Sequence, residues 1–305
     1  MNTNITPISL QQRFQDYLTL CKPRVILVML ITAWIGMLLS TKTAVPVNIF
    51  IFATLGIALS GSSAAVINHL VDRQVDAKMS RTEHRPLASK RISVYDAVVF
   101  AIILGLSGLF ILCIYVNLLT ALLTLLTVFG YAVLYTLFLK RRTPQNIVIG
   151  GAAGAMPPLL GWTAVTGTLS AFPWILVLII FVWTPPHFWA LAIYRKEDYE
   201  NANIPMLPNT HGIPFTKIYL VLYTILLWAI SLMPYVVQMS GILYFIAAMI
   251  LGATFLGQSI MLYFSEGSSL KRVALKTFSF SILYLLLLFG ALLIDHYLVN
   301  MEFSR

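Results

Sequence analysis

The chain has 305 residues, of which 59% are apolar and 10% charged, with a formal net charge of +9 and a positive mean hydropathy. Soluble domains average roughly 45–50% apolar and 25% charged residues, so this composition excludes an ordinary soluble enzyme and indicates a multi-span membrane protein. The bases are spread over short segments with no basic tail or patch, which argues against nucleic acid as a partner.

Residues 1–23 read as a polar N-terminal segment without the basic start, short apolar core and small-residue cleavage site of a secretory signal, and are expected to stay attached. Nine apolar stretches follow, near 24–40, 47–68, 94–116, 118–139, 145–166, 172–194, 218–238, 241–264 and 275–299. Each is near the length of about 20 residues that crosses a hydrocarbon core. The expected architecture is a single all-α integral-membrane domain, 1–305. Short loops rich in Lys and Arg stay cytoplasmic. Nine spans put eighteen of the twenty bases on one side, with only Lys42 and Arg305 opposite, so the N-terminus is expected in the cytoplasm. Cys21 and Cys113 have no paired spacing and suggest neither a disulfide nor a thiolate metal site.

At the end of the second stretch, NHLVDRQVDAKMSRTEHRPL (Asn68 to Leu87) is too polar for a buried core. If the helix continues, Asn68, Asp72 and Asp76 recur at i, i+4 and i+8 and line one face. The bland reading is a solvated helix end. The stronger one is an oxygen-ligand row for Mg²⁺, which commonly bridges a protein carboxylate to substrate phosphates. Arg81 and Arg85 follow as an anion clamp. Lys22 and Arg24, flanking Pro23, either set topology or reach the same phosphates; both roles are compatible.

Tyr131 and Tyr135, at i, i+4 in the fourth stretch, are ordinary membrane aromatics or a surface for an allylic cation. Gly150, Gly151, Gly154, Pro157 and Pro158 open the fifth stretch and suit close helix packing. In the sixth, His187 lies among Trp183, Trp189, Pro185 and Pro186. It is either a ligand-pocket residue or a histidine bonded to a carbonyl freed by the prolines. Next comes YRKEDYENANIPMLPNTHG, from Tyr194 to Gly212. There Asp198 is the better ligand candidate, while Glu197 and Glu200 serve equally well to neutralise Arg195 and Lys196. Pro205 and Pro208 end any helix, so the segment is expected to form an ordered lid. His69, His84 and His211 are expected in the polar loops, in surface or hydrogen-bonding roles. Acids thus cluster after the second and sixth stretches, four spans apart, which suggests a weak four-helix internal repeat with two acidic edges on one cytoplasmic cavity.

NxxxDxxxD followed by RTxxRPL resembles the first signature of UbiA-type intramembrane aromatic prenyltransferases. Within that superfamily KPRV, LKRRTPQNIVIGGAAGAMPPLLGW, WTPPHFWALAIYRKEDY and IPMLP resemble the protohaem IX farnesyltransferase family over nearly the whole chain. The resemblance implies nine helices around a central cavity open to the cytoplasm, in a bacterial inner membrane. It implies Mg²⁺ as cofactor, farnesyl diphosphate and haem B as substrates, surrounding membrane lipid, and a downstream haem-modifying enzyme or terminal oxidase. Asn68, Asp72, Asp76 and Asp198 would hold the metal, the three acids being catalytic. Lys22, Arg24, Arg81, Arg85 and Lys196 would hold the diphosphate. Tyr131, Tyr135, Trp183, His187 and Tyr194 would line the acceptor or prenyl pocket. Departing diphosphate would leave a cation-like farnesyl C1, the haem vinyl carbon would attack it, and water would quench the product cation. One departure stands out: Ala202 occupies the place of the last acid in a second DxxxD row. The alternatives are another aromatic acceptor, such as a quinone precursor, or a transporter, whose acids would lie near the bilayer midplane.

Overall fold

Local sequence sets where the helices begin. In a computed structural model that describes residues 9–79, 82–139, 142–202 and 204–302, Ser9 accepts from the Gln12 amide and caps α1 (Leu10–Leu20). Ser93 caps α4 (Val94–Tyr115) in the same way, and Asn117 caps α5 (Leu118–Phe129) through the Thr120 amide. Pro23 occupies the first turn of α2 (Pro23–Leu39), where its missing N–H costs nothing. Lys22 adopts a left-handed conformation (φ 51°) just before it, and α1 and α2 meet at a 47° bend.

The second apolar stretch does continue: α3 runs Val47–Asp76 and carries the acidic row within the helix. After α5 the backbone widens into a π-helix, Gly130–Leu139, in which Thr136 Oγ1 donates to the Tyr131 carbonyl five residues back (2.8 Å). The fifth stretch is broken into α6 (Asn146–Gly154) and α7 (Pro157–Thr166), because Pro157 and Pro158 cannot supply the amides that would join them. α8 (Phe172–Tyr194) passes through Pro185 and Pro186 without interruption. The short helices α9 (Lys196–Asn201) and α10 (Leu207–Thr210) lead into α11 (Gly212–Ser231), α12 (Met233–Val236), α13 (Ile242–Phe264) and α14 (Gly267–Glu302). No strand occurs among the described residues.

Among the described residues seven helical stretches are long and apolar enough to cross a membrane, α6 and α7 together counting as one, and eight if the bent α1–α2 pair is also one span. Their outward faces are apolar: Ile102, Ile103, Leu106, Phe110 and Ile114 on α4 are all exposed. That is the surface expected where the solvent is lipid. Inside, helices approach closely. A Cβ added at Gly161 would fall 1.9 Å from the Ala33 carbonyl oxygen, and one at Gly36 would fall 2.0 Å from that of Pro158, so α2 and α7 touch backbone to backbone. α13 is held at both ends by charges from its neighbours. Asp295 on α14 accepts from the Gly241 and Tyr244 amides at its start, and Lys217 on α11 donates to the Tyr263 and Ser265 carbonyls at its end. Each charge complements the helix dipole it faces, and both side chains are buried.

Candidate active site

Asn68, Asp72 and Asp76 lie on one face of α3 and are 3–5% exposed. Asn68 Nδ2 donates to Asp72 Oδ2 (3.0 Å), and Asn68 Oδ1 accepts from the Lys22 ammonium. Arg85 Nη1 donates to both carboxylate oxygens of Asp76, at 2.9 and 2.8 Å. Thr82 Oγ1 closes the turn behind it by donating to the Asp76 carbonyl (2.9 Å). Two buried carboxylates therefore sit beside two bases. A buried carboxylate without a partner is strongly destabilising, so these contacts explain how the row survives at the end of an apolar helix. The site joins the start of α2, the end of α3 and the loop before α4.

His69 is on α3 as well, 2% exposed, with Nδ1 4.0 Å from Asp76 Oδ2. It is a buried helical residue and not a loop histidine; the helix extension, which the sequence left conditional, is what buries it. His84 is solvent-facing. Arg24 is exposed on the first turn of α2, without an ion-pair partner among the described residues. Arg81 lies outside the described residues, as do Lys140, Arg141 and Arg305 of the topology count.

Tyr131 and Tyr135 stand with ring centroids 5.5 Å apart. Tyr135 packs over Gly150, where a Cβ would lie 2.4 Å from its ring. The π-helix that carries the two tyrosines packs against α3 and α6.

That second segment differs from the first. Asp198 pairs with its own neighbour Arg195 (3.1 Å), and its side chain is 40% exposed. Glu197 pairs with Lys271 of α14 (2.9 Å) in solvent, and this contact raises the lysine's pKa. The Arg195 guanidinium lies 5.7 Å from the Tyr194 ring centroid. Lys196 is half-buried, and its carbonyl accepts from Asn209 Nδ2 (3.1 Å). Beyond it, Met206, Leu207 and Pro208 are buried, the first two against Trp189, Ile193, Leu220 and Leu262. The proline-rich segment is anchored in the core and is not a loose flap.

His187 is gripped on three sides. Trp183 and Phe278 stack on its two faces, with centroids at 4.2 and 4.6 Å, and Nδ1 shares a 2.6 Å hydrogen bond with Ser281 Oγ. Trp183 Nε1 donates to the carbonyl of the same Ser281 (2.8 Å). The partner is thus a serine of α14, where the sequence suggested a carbonyl freed by the prolines. α8 remains helical there, so the serine supplies what the broken ladder was expected to supply.

The donor chemistry suits a hard cation: two carboxylates and one amide oxygen, buried, on one helical face. Among the described residues no three His, Cys, Asp or Glu side chains are drawn together as a complete metal cage. The set fits an ion that substrate phosphates complete, and it does not fit an all-protein site. Sequence reasoning missed Asp16 and Arg91, which pair across 75 residues beside this site. Asp16 is the one acid of α1, and only its position on a helix facing the α3–α4 loop would have shown it.

The profile of the UbiA prenyltransferase family matches residues 29–283. The chain belongs to this family. Relatives named protohaem IX farnesyltransferase include one from Stutzerimonas stutzeri, 56% identical over 98% of this chain and 99% of its own. Another, from Legionella pneumophila, is 57% identical over 93% of this chain and 96% of its own. The fold is similar to that of a membrane digeranylgeranylglyceryl phosphate synthase, with a TM-score of 0.79 at 20% identity, covering 94% of this chain and 99% of that one. It is also similar to a UbiA homologue from Archaeoglobus fulgidus bound to DMAPP and Mg²⁺, with a TM-score of 0.64 at 17% identity, covering 91% and 99%. UbiA relatives therefore match nearly the whole membrane domain, including the α3 edge.

Proposed function

We infer that this protein is a haem-modifying prenyltransferase: it transfers the farnesyl group of farnesyl diphosphate to a vinyl group of haem B, with addition of water, giving haem O and diphosphate. The observation that carries the reading is a buried Asn68–Asp72–Asp76 row flanked by Lys22 and Arg85, in a chain more than half identical to protohaem IX farnesyltransferases.

In this proposal Asn68, Asp72 and Asp76, with Asp198 from the second segment, would hold Mg²⁺. The ion, when bound, would neutralise charge on the departing diphosphate. Lys22 and Arg85 bond to the side-chain oxygens that such an ion would claim. On substrate entry they exchange those oxygens for phosphate oxygens, which keeps every buried charge paired. Arg24, Arg81 and Lys196 would bind further phosphate oxygens. The rings of Tyr131 and Tyr135 face farnesyl C1 as it becomes cationic, and a dry surrounding delays attack by water until the vinyl carbon has reacted. Trp183, His187 and Tyr194 shape the acceptor side, with His187 held in a fixed orientation by its ring stack and Ser281. The segment from 118 to 139 completes a set of nine spans, with the acidic edges at the cytoplasmic face of a bacterial inner membrane. The product passes to a haem-modifying enzyme or terminal oxidase.

The test is the full chain in lipid nanodiscs with haem B, farnesyl diphosphate and Mg²⁺. The expected product is farnesylated, hydrated haem by mass spectrometry, lost when a chelator removes the metal. Untouched haem, together with prenylation of a quinone precursor under the same conditions, would overturn the acceptor.

A further inference from the structure

We infer that Asp16 and Arg91 are positioning residues for the diphosphate site, a latch through which α1 holds the α3–α4 loop so that Arg85 stays over Asp76. The inference rests on the α3 edge being that site.

The loop residues 82–92 have no long helix to fix them. Their geometry comes from a few contacts, and one guanidinium makes several. Arg91 Nε donates to both Asp16 oxygens (3.1 and 3.0 Å), and Nη2 donates to Asp16 Oδ1 (3.0 Å). Its remaining N–H groups turn back onto the loop: Nη2 to the His84 carbonyl (2.9 Å) and Nη1 to Ser89 Oγ (2.9 Å). His84 is the residue before Arg85. The Ser89 amide in turn donates to the Arg85 carbonyl (2.9 Å), so Arg91 is bonded on both sides of the proposed phosphate ligand. Five donors in a rigid plane suit Arg to such a task; a lysine could not make the same fork.

Asp16 is not a surface counter-ion. It is 2% exposed and takes a further hydrogen bond from Gln12 Nε2 (3.2 Å). An acid buried on a helix outside the proposed reaction centre needs a reason, and exposed pairs of this kind contribute little. Apolar contacts then set α1 in place: Leu20 packs with Leu87, Ile92, Val66 and Ala97, and Tyr17 meets the Phe100 ring edge-on at 4.8 Å. α1 ends two residues before Lys22, whose ammonium reaches Asn68. One ion pair, buried on its Asp16 side, therefore ties the element that delivers Lys22 to the loop that delivers Arg85.

The experiment compares Asp16→Asn, Arg91→Lys, Arg85→Gln and the Asp16→Asn/Arg85→Gln double variant in nanodiscs. Melting temperature, kcat, KM for each substrate and binding of Mg²⁺-pyrophosphate are measured. Asp16→Asn is expected to raise the KM for farnesyl diphosphate about tenfold, with the KM for haem B unchanged. Because the latch acts through Arg85, the double variant should be no worse than Arg85→Gln alone. Arg91→Lys, which keeps the charge and loses the fork, should fall between wild type and Asp16→Asn and provides the reading if Asp16→Asn fails to fold. Additive losses, or a folded Asp16→Asn with unaltered pyrophosphate binding, would overturn the latch while leaving the site reading intact. An Arg85→Gln variant with normal diphosphate dependence would sink the site reading and the latch together.

Discussion

The two acidic edges of this protein look alike in sequence and are built differently. The first, at the end of α3, is buried to a few per cent exposure, and its contacts reach residues 9 and 46 positions away: Arg85 to Asp76 and Lys22 to Asn68. The second, on α9, satisfies Asp198 with a residue three positions away and leaves it 40% exposed. A carboxylate fixed from several elements is preorganised, whereas one held by its own helix in water can be recruited or released at little cost. Under the proposed function, the contrast casts the first edge as the part that would hold the charge of a bound substrate, and the second as the part that would complete or close the site.

The largest effect is expected where that contrast is sharpest. Asp72→Asn keeps the shape of the buried row and removes one negative charge. Turnover should fall about a hundredfold or more, and the Mg²⁺ concentration for half-maximal rate should rise, with the melting temperature nearly unchanged. Normal turnover across a Mg²⁺ titration would erase the distinction between the edges. Asp198→Asn should cost about tenfold, most of it recovered at saturating Mg²⁺, as for a supporting ligand. If it proves as damaging as Asp72→Asn, the edges are equivalent partners. Glu197→Gln breaks only an exposed pair with Lys271 and should leave kcat and KM within about twofold; a larger loss would mean that α14 takes part in closing the site.

The helices and the first edge were legible because their signals are local. The i, i+4, i+8 spacing of Asn68, Asp72 and Asp76 survives as one face of α3, and Phe172 and Tyr194 bound α8 as the hydropathy indicated. What escaped is non-local or conformational. Nothing near Asp16 in the chain points to Arg91, and nothing near Gly241 points to Asp295 on α14. The π-helix from Gly130 depends on hydrogen-bond register, which apolar composition does not encode. His187 was legible as unusual, but its serine partner 94 residues away was not.

The buried acid and the buried lysine that grip opposite ends of α13 have a mechanical consequence. A 23-residue helix rises about 35 Å, close to the thickness of a bilayer core, and here both of its termini are pinned to neighbours. α11, α13 and α14 are thereby clamped into one stave that cannot shear along its length. In a thinner or thicker bilayer these three helices should lean as a unit, and the accommodation should fall on helices outside the clamp.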